Sequence, residues 1–488
     1  MIMRVGFVSL GCSKNLVDTE MMIGLFKKND FQIVNDPQNA EIIVINTCGF
    51  IEPAKEEAIN IILEMAEYKN QNCKYLIVTG CLAQRYKENL IKELPEVDLF
   101  IKFSEYDTIW EQINSLLCLD NEIYSNRNTL LTSKTDIKDE NIKKDQIENK
   151  KTIENNISTN EKLDFLNRVI STGENFAYIR IAEGCNNFCT FCAIPYIRGR
   201  FTSRKIEDIL EEARSLASKG YKELIIIAQD TSKYGVDIYG KPMLDKLLHK
   251  ISEIDGIEWI RFLYTYPETI TDELIQEVKN NDKICKYFDI PMQHISDKIL
   301  KKMNRKSTGE SIRKLITKLR KEIPDVVIRS TLMLGFPGET EEDFEELYEF
   351  VKWAKLDKLG CFTYSKEEGT VASKMENQVH PMTKKKRYNK IMALQQQISE
   401  ENMKKHIGKN LKVLVESSKN DIEYINSQEN SGENNNINKV AYDCSGRTYM
   451  DVPDIDGVIY IKGKAKLNTF ANCKVTGYKE YDLIGELI

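Results

Sequence analysis

Apolar and polar positions follow a repeating order in the first hundred or so residues of the chain. Each of three short apolar runs is followed by a longer stretch with helical spacing, and Pro53 stands near the start of the second stretch, where its missing N–H costs nothing. Apolar strands that alternate with helices predict a parallel α/β sheet. The predicted strands are 4–10, 41–46 and 74–78, and the predicted helices are about 15–28, 52–68 and 84–92.

The same alternation resumes at Gly173 and continues to about His406. It contains six strand–helix units, which predict a partial (β/α)6 barrel with its functional residues at the C-terminal ends of the strands. The predicted strands are Phe176–Ile181, Glu223–Ala228, Trp259–Tyr264, Tyr287–Ile290, Val326–Met333 and Lys358–Tyr364, and helices such as Lys205–Ser218 and Thr340–Ala354 lie between them.

The end of the chain, from about Gly408 to Ile488, has short strands separated by Gly and Asp turns. This pattern predicts a small β-barrel of a kind often used to bind an extended partner. A polar insertion, Ser427–Asn438, interrupts it. The predicted strands are Val413–Glu416, Tyr442–Cys444, Val458–Lys462 and Ala471–Tyr478.

Residues 120–170 contain no glycine or proline, are rich in Asn, Lys, Asp, Glu and Ile, and lack clear periodicity. The composition favours a solvated linker that is partly disordered or loosely helical, while the scattered isoleucines leave a packed helix open. We therefore expect an N-terminal α/β domain at 1–119, a linker at 120–170, a barrel domain at 171–406 and a β-barrel at 408–488.

Composition narrows the class of protein. The chain has 488 residues, 41% hydrophobic and 30% charged, which is ordinary for a soluble protein. It has no apolar run of ~18 residues and no signal-peptide plan at its start, so we expect a cytoplasmic protein with no membrane partner. The net charge of −6 argues weakly against a nucleic-acid substrate and mildly for a basic partner. Because the cytosol keeps thiols reduced, the twelve cysteines favour metal or cluster binding over disulfides.

Three cysteines at C-x3-C-x2-C spacing, Cys185, Cys189 and Cys192, follow the first strand of the predicted barrel. All three thiolates can reach one metal centre, and since a closed cluster or zinc site has four ligands, one corner stays open for chemistry. A structural site with a fourth ligand elsewhere is the alternative. The run resembles the motif of the radical S-adenosylmethionine (SAM) enzymes, and Phe191 fits the aromatic position of that motif.

The resemblance implies a 4Fe–4S cluster on Cys185, Cys189 and Cys192, with an open iron that chelates SAM. In the family, an electron from the cluster cleaves SAM to a 5′-deoxyadenosyl radical, which removes hydrogen from unreactive carbon. The barrel around it must exclude water and side reactions.

Three further segments lie at predicted strand ends. Gln229 and Asp230 stand where the family's contact to the SAM amino group usually falls, although a turn or helix cap explains Asp230 equally well. Gly335–Glu339 either closes the SAM pocket or forms a turn with Thr340 as the cap of the next helix, and the turn is favoured. His294 is interpreted as structural.

A second trio, Cys12, Cys48 and Cys81, follows the three N-terminal strands, and each cysteine stands beside a glycine. Ligands of open α/β sheets bind beyond the carboxyl ends of the strands, so these cysteines are expected to converge on one edge. They too lack a fourth ligand. The segments that resemble the N-terminal domain of the methylthiotransferases are Ser9–Asn15, Asn46–Phe50 and Thr79–Gln84.

The methylthiotransferase family has this domain, a radical SAM core and a C-terminal TRAM barrel, and the resemblance covers the chain apart from 120–170 and 427–438. It implies a second 4Fe–4S cluster on Cys12, Cys48 and Cys81 that carries the sulfur atom to be methylated and inserted. One SAM supplies the methyl group and another the radical, with a reductant and a sulfur donor as partners. The overall change is C–H to C–S–CH3. An inert structural site is the alternative, but it leaves two separate open trios unexplained.

The family divides by substrate. One branch modifies an adenosine beside the tRNA anticodon, and another modifies an aspartate of small-subunit ribosomal protein twelve. Three segments resemble the second branch more closely. They are Gly11–Asp18, Ala228–Gly235 and the acidic loop Asp451–Gly457, which departs from the branch pattern mildly at Val452 and Asp454.

Asp451, Asp454 and Asp456 are the candidate substrate-binding residues. Their carboxylates would repel RNA phosphates and attract a basic ribosomal protein, although a loop rich in Asp, Pro and Gly also forms turns without any partner. The leading hypothesis is methylthiolation at the β-carbon of an aspartate in that protein. The alternatives are a tRNA adenosine methylthiotransferase and a metal-stabilised RNA-binding scaffold without catalysis.

Overall fold

The computed structural model describes residues 2–118, 163–420 and 442–488, and the chain divides into two compact units, Met1–Ser171 and Thr172–Ile488. Most of the predicted linker at 120–170 and the whole insertion Ser427–Asn438 lie outside the described residues. The finer division into four segments remains a prediction.

The first unit is built on a parallel sheet, as the sequence predicts. Its strands run in the order β2-β1-β3-β4-β5, and every neighbouring pair is parallel. The two edge strands were not predicted because each has only three residues. The strands are β1 Arg4–Ser9, β2 Gln32–Val34, β3 Ile42–Thr47, β4 Tyr75–Gly80 and β5 Leu99–Ile101; the helices are Ser13–Lys28, Glu52–Ala66 and Cys81–Glu93.

Both faces of this sheet are covered, which explains why its central strands read as continuous apolar runs. Successive side chains of a strand point to opposite faces. Ile43 and Ile45 of β3 pack into one buried cluster, whereas Ile42 and Val44 pack into another that includes Trp110. All residues of β3 and β4 are buried.

The second unit begins with the predicted partial barrel. Strands β9, β10 and β6 form one parallel sheet and β11, β12 and β13 another, and Ile260 of β10 bridges to Ile284 just before β11. The strands are β6 Phe176–Arg180, β7 Ala182–Glu183, β8 Thr202–Ser203, β9 Glu223–Ile227, β10 Trp259–Phe262, β11 Tyr287–Asp289, β12 Val327–Leu334 and β13 Lys358–Thr363. The helices are Ile194–Ile197, Ile206–Ser218, Val236–Tyr239, Leu244–Ser252, Asp272–Asn280, Asp297–Lys302, Gly309–Glu322, Glu341–Ala354 and Pro381–Lys404.

The second unit ends in a closed five-stranded barrel, which confirms the predicted small β-barrel. Its strands run in the order β14-β15-β16-β18-β17. The last strand was not predicted. The strands are β14 Asn410–Ser418, β15 Cys444–Thr448, β16 Ile459–Lys462, β17 Phe470–Tyr478 and β18 Leu483–Leu487. No helix of the described ranges combines the length and apolar character that crossing a bilayer requires.

Candidate functional site

Cys12, Cys48 and Cys81 follow three neighbouring strands of the first unit, β1, β3 and β4. The strand register aligns Ser9 with Asn46 and Asn46 with Thr79, so the three strands end at the same level of the sheet. Cys12 precedes the first turn of helix Ser13–Lys28, Cys48 follows β3, and Cys81 opens helix Cys81–Glu93. The three cysteines therefore lie at one edge of the sheet.

Asn15 ties the three cysteine-bearing loops together. Its Nδ2 donates to the carbonyl of Leu10 at 2.9 Å and to that of Thr47 at 3.0 Å, and the Cys81 thiol donates to its Oδ1 at 3.7 Å. The Asn46 side chain donates in turn to the Asn15 carbonyl at 2.8 Å. The motif around Cys12 contained this residue, but spacing alone gave it no role.

Two glycines allow the loops to approach so closely. Gly11 has φ +91°, and a β-carbon there would lie 2.8 Å from the β-carbon of Cys48. Gly80 has φ +98°, and a β-carbon there would lie 2.4 Å from the Thr47 carbonyl oxygen. Both need the left-handed backbone that glycine adopts at low cost, and neither position has room for a side chain.

Burial affects the acidity of the Cys48 thiol. It raises the pKa of Cys48, and the neighbouring Cys12 adds to this effect. Cys81 is buried, whereas Cys12 is exposed at the rim of the trio. A thiol in such a place stays protonated until a metal ion displaces the proton.

Cys185, Cys189 and Cys192 lie on the loop at residues 184–193, called the cysteine loop below, which follows β6 and β7 at the C-terminal end of the partial barrel. Cys185 and Cys189 are buried and Cys192 is half-buried. Burial raises the pKa of Cys185 to about 11. Burial also raises the pKa of Cys192, and the nearby Cys189 and Cys185 add to this effect, so the three sulfur atoms lie close enough to interact electrostatically.

Two residues that the sequence did not indicate touch this trio. The Tyr266 hydroxyl lies 3.8 Å from Cys189 Sγ, and Arg305 Nη1 lies 4.0 Å from the same sulfur. Tyr266 follows β10 in the chain, and Arg305 lies beyond the helix Asp297–Lys302. Neither has a local spacing relationship to the cysteines that could have revealed it.

The donor set of both trios fits iron–sulfur clusters. Thiolates are the usual protein ligands of such clusters. No group of three or more His, Cys, Asp or Glu side chains in residues 2–118, 163–420 and 442–488 is arranged around the position of a single metal ion. In a cubane each thiolate binds a different iron atom, so its ligands need not converge on one point.

The Asp230 carboxylate already has hydrogen-bond partners within the protein. It is fully buried and accepts hydrogen bonds from Asn187 Nδ2 at 2.8 Å and Ser232 Oγ at 2.7 Å, and Lys233 Nζ lies 3.7 Å away. Asn187 belongs to the cysteine loop, so the carboxylate holds that loop. Burial raises the pKa of Asp230. Gln229 is half-buried beside it, and the direct contact of both residues with SAM remains a prediction.

Phe191 extends from the cysteine loop into an apolar cluster. Its ring meets that of Phe336 nearly at right angles, with the centroids 6.4 Å apart. The cluster also contains Met303, Met333 and Tyr364. These side chains shield one side of the loop from water.

Comparisons with known proteins identify the family. The radical SAM superfamily model matches residues 179–351, the uncharacterized protein family UPF0004 model matches residues 4–102, and the TRAM domain model matches residues 436–488. A ribosomal protein uS12 methylthiotransferase RimO from Alkaliphilus oremlandii is 56% identical over 99% of both chains. Its counterpart from Acetivibrio thermocellus is 49% identical over 99% of this chain and 98% of its own. This chain belongs to the radical SAM methylthiotransferase family.

A solved structure agrees with the fold of this methylthiotransferase. The radical SAM methyltransferase TsrM from Kitasatospora setae matches with a TM-score of 0.50 over 73% of this chain and 72% of its own, at 13% identity. At that identity the likeness supports the fold alone. Family membership makes SAM and 4Fe–4S clusters the cofactors of the enzyme.

The turn Gly335–Glu339 forms as favoured from the sequence, and Thr340 caps the next helix by accepting from the Asp343 backbone N–H. Glu339 Oε2 accepts from the Gly335 N–H at 2.7 Å, and Arg387 donates to Glu339 Oε1 at 2.7 Å. Buried His294 accepts from the Ser296 N–H through Nδ1, while its Nε2 lies 3.7 Å from Glu339 Oε2. Hydrogen bonds to Glu339 therefore stabilise the turn.

Two of the three carboxylates of the acidic loop bind residues of the second unit itself. Asp451 accepts from Lys358 Nζ at 2.8 Å, and Asp456 accepts from the Tyr287 hydroxyl at 2.7 Å. Lys358 and Tyr287 are the first residues of β13 and β11, so the loop lies at the N-terminal ends of the barrel strands, whereas the cysteine loop follows the C-terminal end of β6. Of the three predicted substrate-binding carboxylates, only Asp454 belongs to an exposed residue.

Proposed function

We propose that this chain is a cytoplasmic enzyme that inserts a methylthio group at the β-carbon of an aspartate in ribosomal protein uS12. The observation that carries the proposal is the presence of two separate cysteine trios, each at the C-terminal edge of its own parallel sheet. The choice of substrate is supported by identities of 56% and 49% to whole-length relatives named as uS12 methylthiotransferases.

In this proposal Cys185, Cys189 and Cys192 hold the cluster that works with SAM, and Cys12, Cys48 and Cys81 hold the auxiliary cluster. Bound there, the two clusters and SAM would supply one-electron cleavage of SAM and a methylated sulfur atom, which together convert C–H to C–S–CH3. The balance of that conversion requires an electron donor and a sulfur donor as partners.

The protein's own contribution is orientation and exclusion of water. Asp230 fixes the cysteine loop through Asn187, and Asn187 Oδ1 also accepts from Lys233 Nζ. Phe191 and Phe336 close the apolar side of the loop. A dry, pre-ordered site protects a reactive species from side reactions. Gln229 and Asp230 are proposed as SAM contacts, and Asp454 is the best placed of the acidic residues to meet a basic substrate.

The test compares two substrates. Purified enzyme with anaerobically assembled clusters is incubated with SAM, a reductant and sulfide, together with either uS12 or tRNA, and the products are analysed by mass spectrometry. We expect uS12 to gain one SCH2 unit at an aspartate and tRNA to gain none. A gain on tRNA with none on uS12 would replace the proposed function by tRNA adenosine methylthiolation.

Two cysteine variants separate the roles of the trios. Cys185→Ala is expected to abolish release of 5′-deoxyadenosine, whereas Cys48→Ala is expected to retain some SAM cleavage but to lose methylthiolation. Wild-type enzyme is expected to contain about eight iron atoms per chain, since each cubane holds about four. Zinc in place of iron, with no cleavage of SAM, would instead support a metal-stabilised scaffold. Full methylthiolation by Cys48→Ala would contradict the auxiliary-cluster role.

A further inference from the structure

Arg305 is a buried cation with no ion pair among the residues that the structure describes. Its residue is only 7% exposed. Nη2 donates to the Pro291 carbonyl at 2.7 Å, and Nε has no hydrogen-bond partner among the described residues. No described carboxylate lies within 4.0 Å of the guanidinium. Because burial of a charge without a direct carboxylate partner is costly, the position favours an anion beside the guanidinium, where Glu268 acts only as a longer-range negative charge.

The anion site indicated by the geometry is the sulfur of Cys189. Arg305 Nη1 lies 4.0 Å from that sulfur, and the Tyr266 hydroxyl approaches it to 3.8 Å. The Arg305 guanidinium also stacks 4.1 Å above the centre of the Tyr266 ring, so each side chain fixes the other. The phenolic O–H of Tyr266 is a hydrogen-bond donor that can serve this sulfur.

The chain around Arg305 is joined to the cysteine loop at several points. Asn304 Nδ2 donates to the Phe188 carbonyl at 2.9 Å, and the Thr190 side chain donates to the Lys302 carbonyl at 2.8 Å. The Thr190 N–H also donates to the Met303 carbonyl at 3.1 Å. The guanidinium is therefore held at a fixed place beside the loop and does not reach it as a mobile surface side chain.

We propose that Arg305 and Tyr266 are positioning residues that hold Cys189 and raise the reduction potential of the cluster on Cys185, Cys189 and Cys192. The inference rests on the proposed function only in assigning a 4Fe–4S cluster to these cysteines. It does not depend on the identity of the substrate.

The sign of the effect follows from electrostatics. Reduction adds one negative charge to the cluster. A fixed positive charge and an O–H donor beside a cluster sulfur stabilise the more negative state, and hydrogen bonds to cluster sulfurs are among the known determinants of potential. Because arginine does not lose its proton in proteins, the effect persists across the working pH range. The pair would thus make the cluster easier to reduce.

The experiment uses the full chain with Cys12, Cys48 and Cys81 changed to Ala, so that one cluster remains. The cluster is assembled anaerobically, and its midpoint potential is measured by a redox titration followed by electron paramagnetic resonance, without SAM. Arg305→Gln is expected to lower the reduction equilibrium constant about tenfold, which is 59 mV for a one-electron couple. Tyr266→Phe is expected to shift the potential in the same direction by less, and Arg305→Lys is expected to retain most of the wild-type value.

Arg313→Gln is the matched control. Arg313 also stacks on aromatic rings, 5.2 Å from the centre of Phe350 and 5.0 Å from that of Trp353, but none of its contacts in the described part of the chain involves the cysteine loop. Its substitution is expected to leave the potential unchanged.

Three results would overturn the proposal. The first is an unchanged potential in Arg305→Gln with normal iron content. The second is a weaker affinity for SAM without a change in potential, which would assign the guanidinium to the cofactor. The third applies if Arg305→Gln holds no iron: Tyr266→Phe then decides, and an unchanged potential in that variant overturns the proposal, whereas a lowered one supports it. A parent chain that assembles no cluster would instead contradict the proposed function itself.

Discussion

Arg447 of the C-terminal barrel donates from Nη2 to Glu223 Oε2 at 2.7 Å, at the first residue of β9 in the radical SAM core. Both side chains are almost completely buried, and Arg261 donates to the other Glu223 oxygen at 2.8 Å. Arg447 also pairs with Glu416 at 2.6 Å. Two buried cations and two carboxylates thus join the barrel to the N-terminal ends of the core strands. The small barrel is fixed to the core and is not a tethered module.

Arg447→Met tests this junction. It removes one partner and leaves Glu416 and one oxygen of Glu223 buried without their cation, which typically costs about 3–5 kcal/mol. We expect the free energy of unfolding of the second unit to fall by this amount in urea titrations followed by circular dichroism. Lys462→Met is the control, because Lys462 and Glu486 form an exposed pair at 3.9 Å whose loss should cost about 1 kcal/mol or less. Equal midpoints for Arg447→Met and wild type would contradict a stabilising role for the junction.

Acid is expected to weaken the same junction. Burial opposes ionisation of Glu223, but Arg447 and Arg261 outweigh it and hold the pKa of this carboxyl below its usual value. A carboxylate with a lowered pKa contributes stability that is present above the unfolded pKa of about 4.3 and is lost as the pH falls through the folded value. Urea titrations between about pH 7 and pH 3 should therefore show falling stability. Glu223→Gln should flatten that dependence, whereas Glu346→Gln at an exposed position should not.

Two roles are possible for Asp230: its carboxylate supports the cysteine loop, or it contacts SAM directly. If its carboxylate acts through Asn187, then Asp230→Ala and Asn187→Ala should both lower iron retention by the cysteine loop, with little separate effect on SAM affinity. We expect this shared pattern, with about tenfold slower SAM cleavage, because both oxygens of the carboxylate already have partners. Iron content and equilibrium binding of SAM measure the two roles independently. A large loss of SAM affinity confined to Asp230→Ala would favour direct contact, and Asp208→Ala on an exposed helix face is the control.

The sequence revealed what depends on local spacing. The cysteines Cys185, Cys189 and Cys192 are neighbours in the chain, and Cys12, Cys48 and Cys81 each directly follow an apolar run, so strand prediction was sufficient to gather them at an edge. Three-residue strands such as β2 and β5 are too short to give a periodic signal.

Relationships over long sequence distances could not be predicted in this way. Arg305 reaches Cys189 across 116 positions, and Tyr287 reaches Asp456 across 169. For the same reason the sequence predicted that Asp451 and Asp456 bind the substrate. In the structure their carboxylates accept hydrogen bonds from Lys358 and Tyr287. A carboxylate in a turn-forming segment carries no local sign of a distant partner.

Asp454 can therefore decide whether the acidic loop recognises the substrate. It is exposed and has a left-handed φ of 60°, and it lies in the turn between Asp451 and Asp456. If it attracts basic uS12, Asp454→Lys should raise KM for uS12 severalfold with kcat unchanged, because a rim charge alters encounter more than chemistry, and the effect should shrink in high salt. Steady-state kinetics at two ionic strengths measure this, with Glu480→Lys on the same barrel as the control. An unchanged KM would show that Asp454 does not attract the substrate. Substrate recognition would then lie elsewhere on the enzyme, away from these N-terminal strand ends.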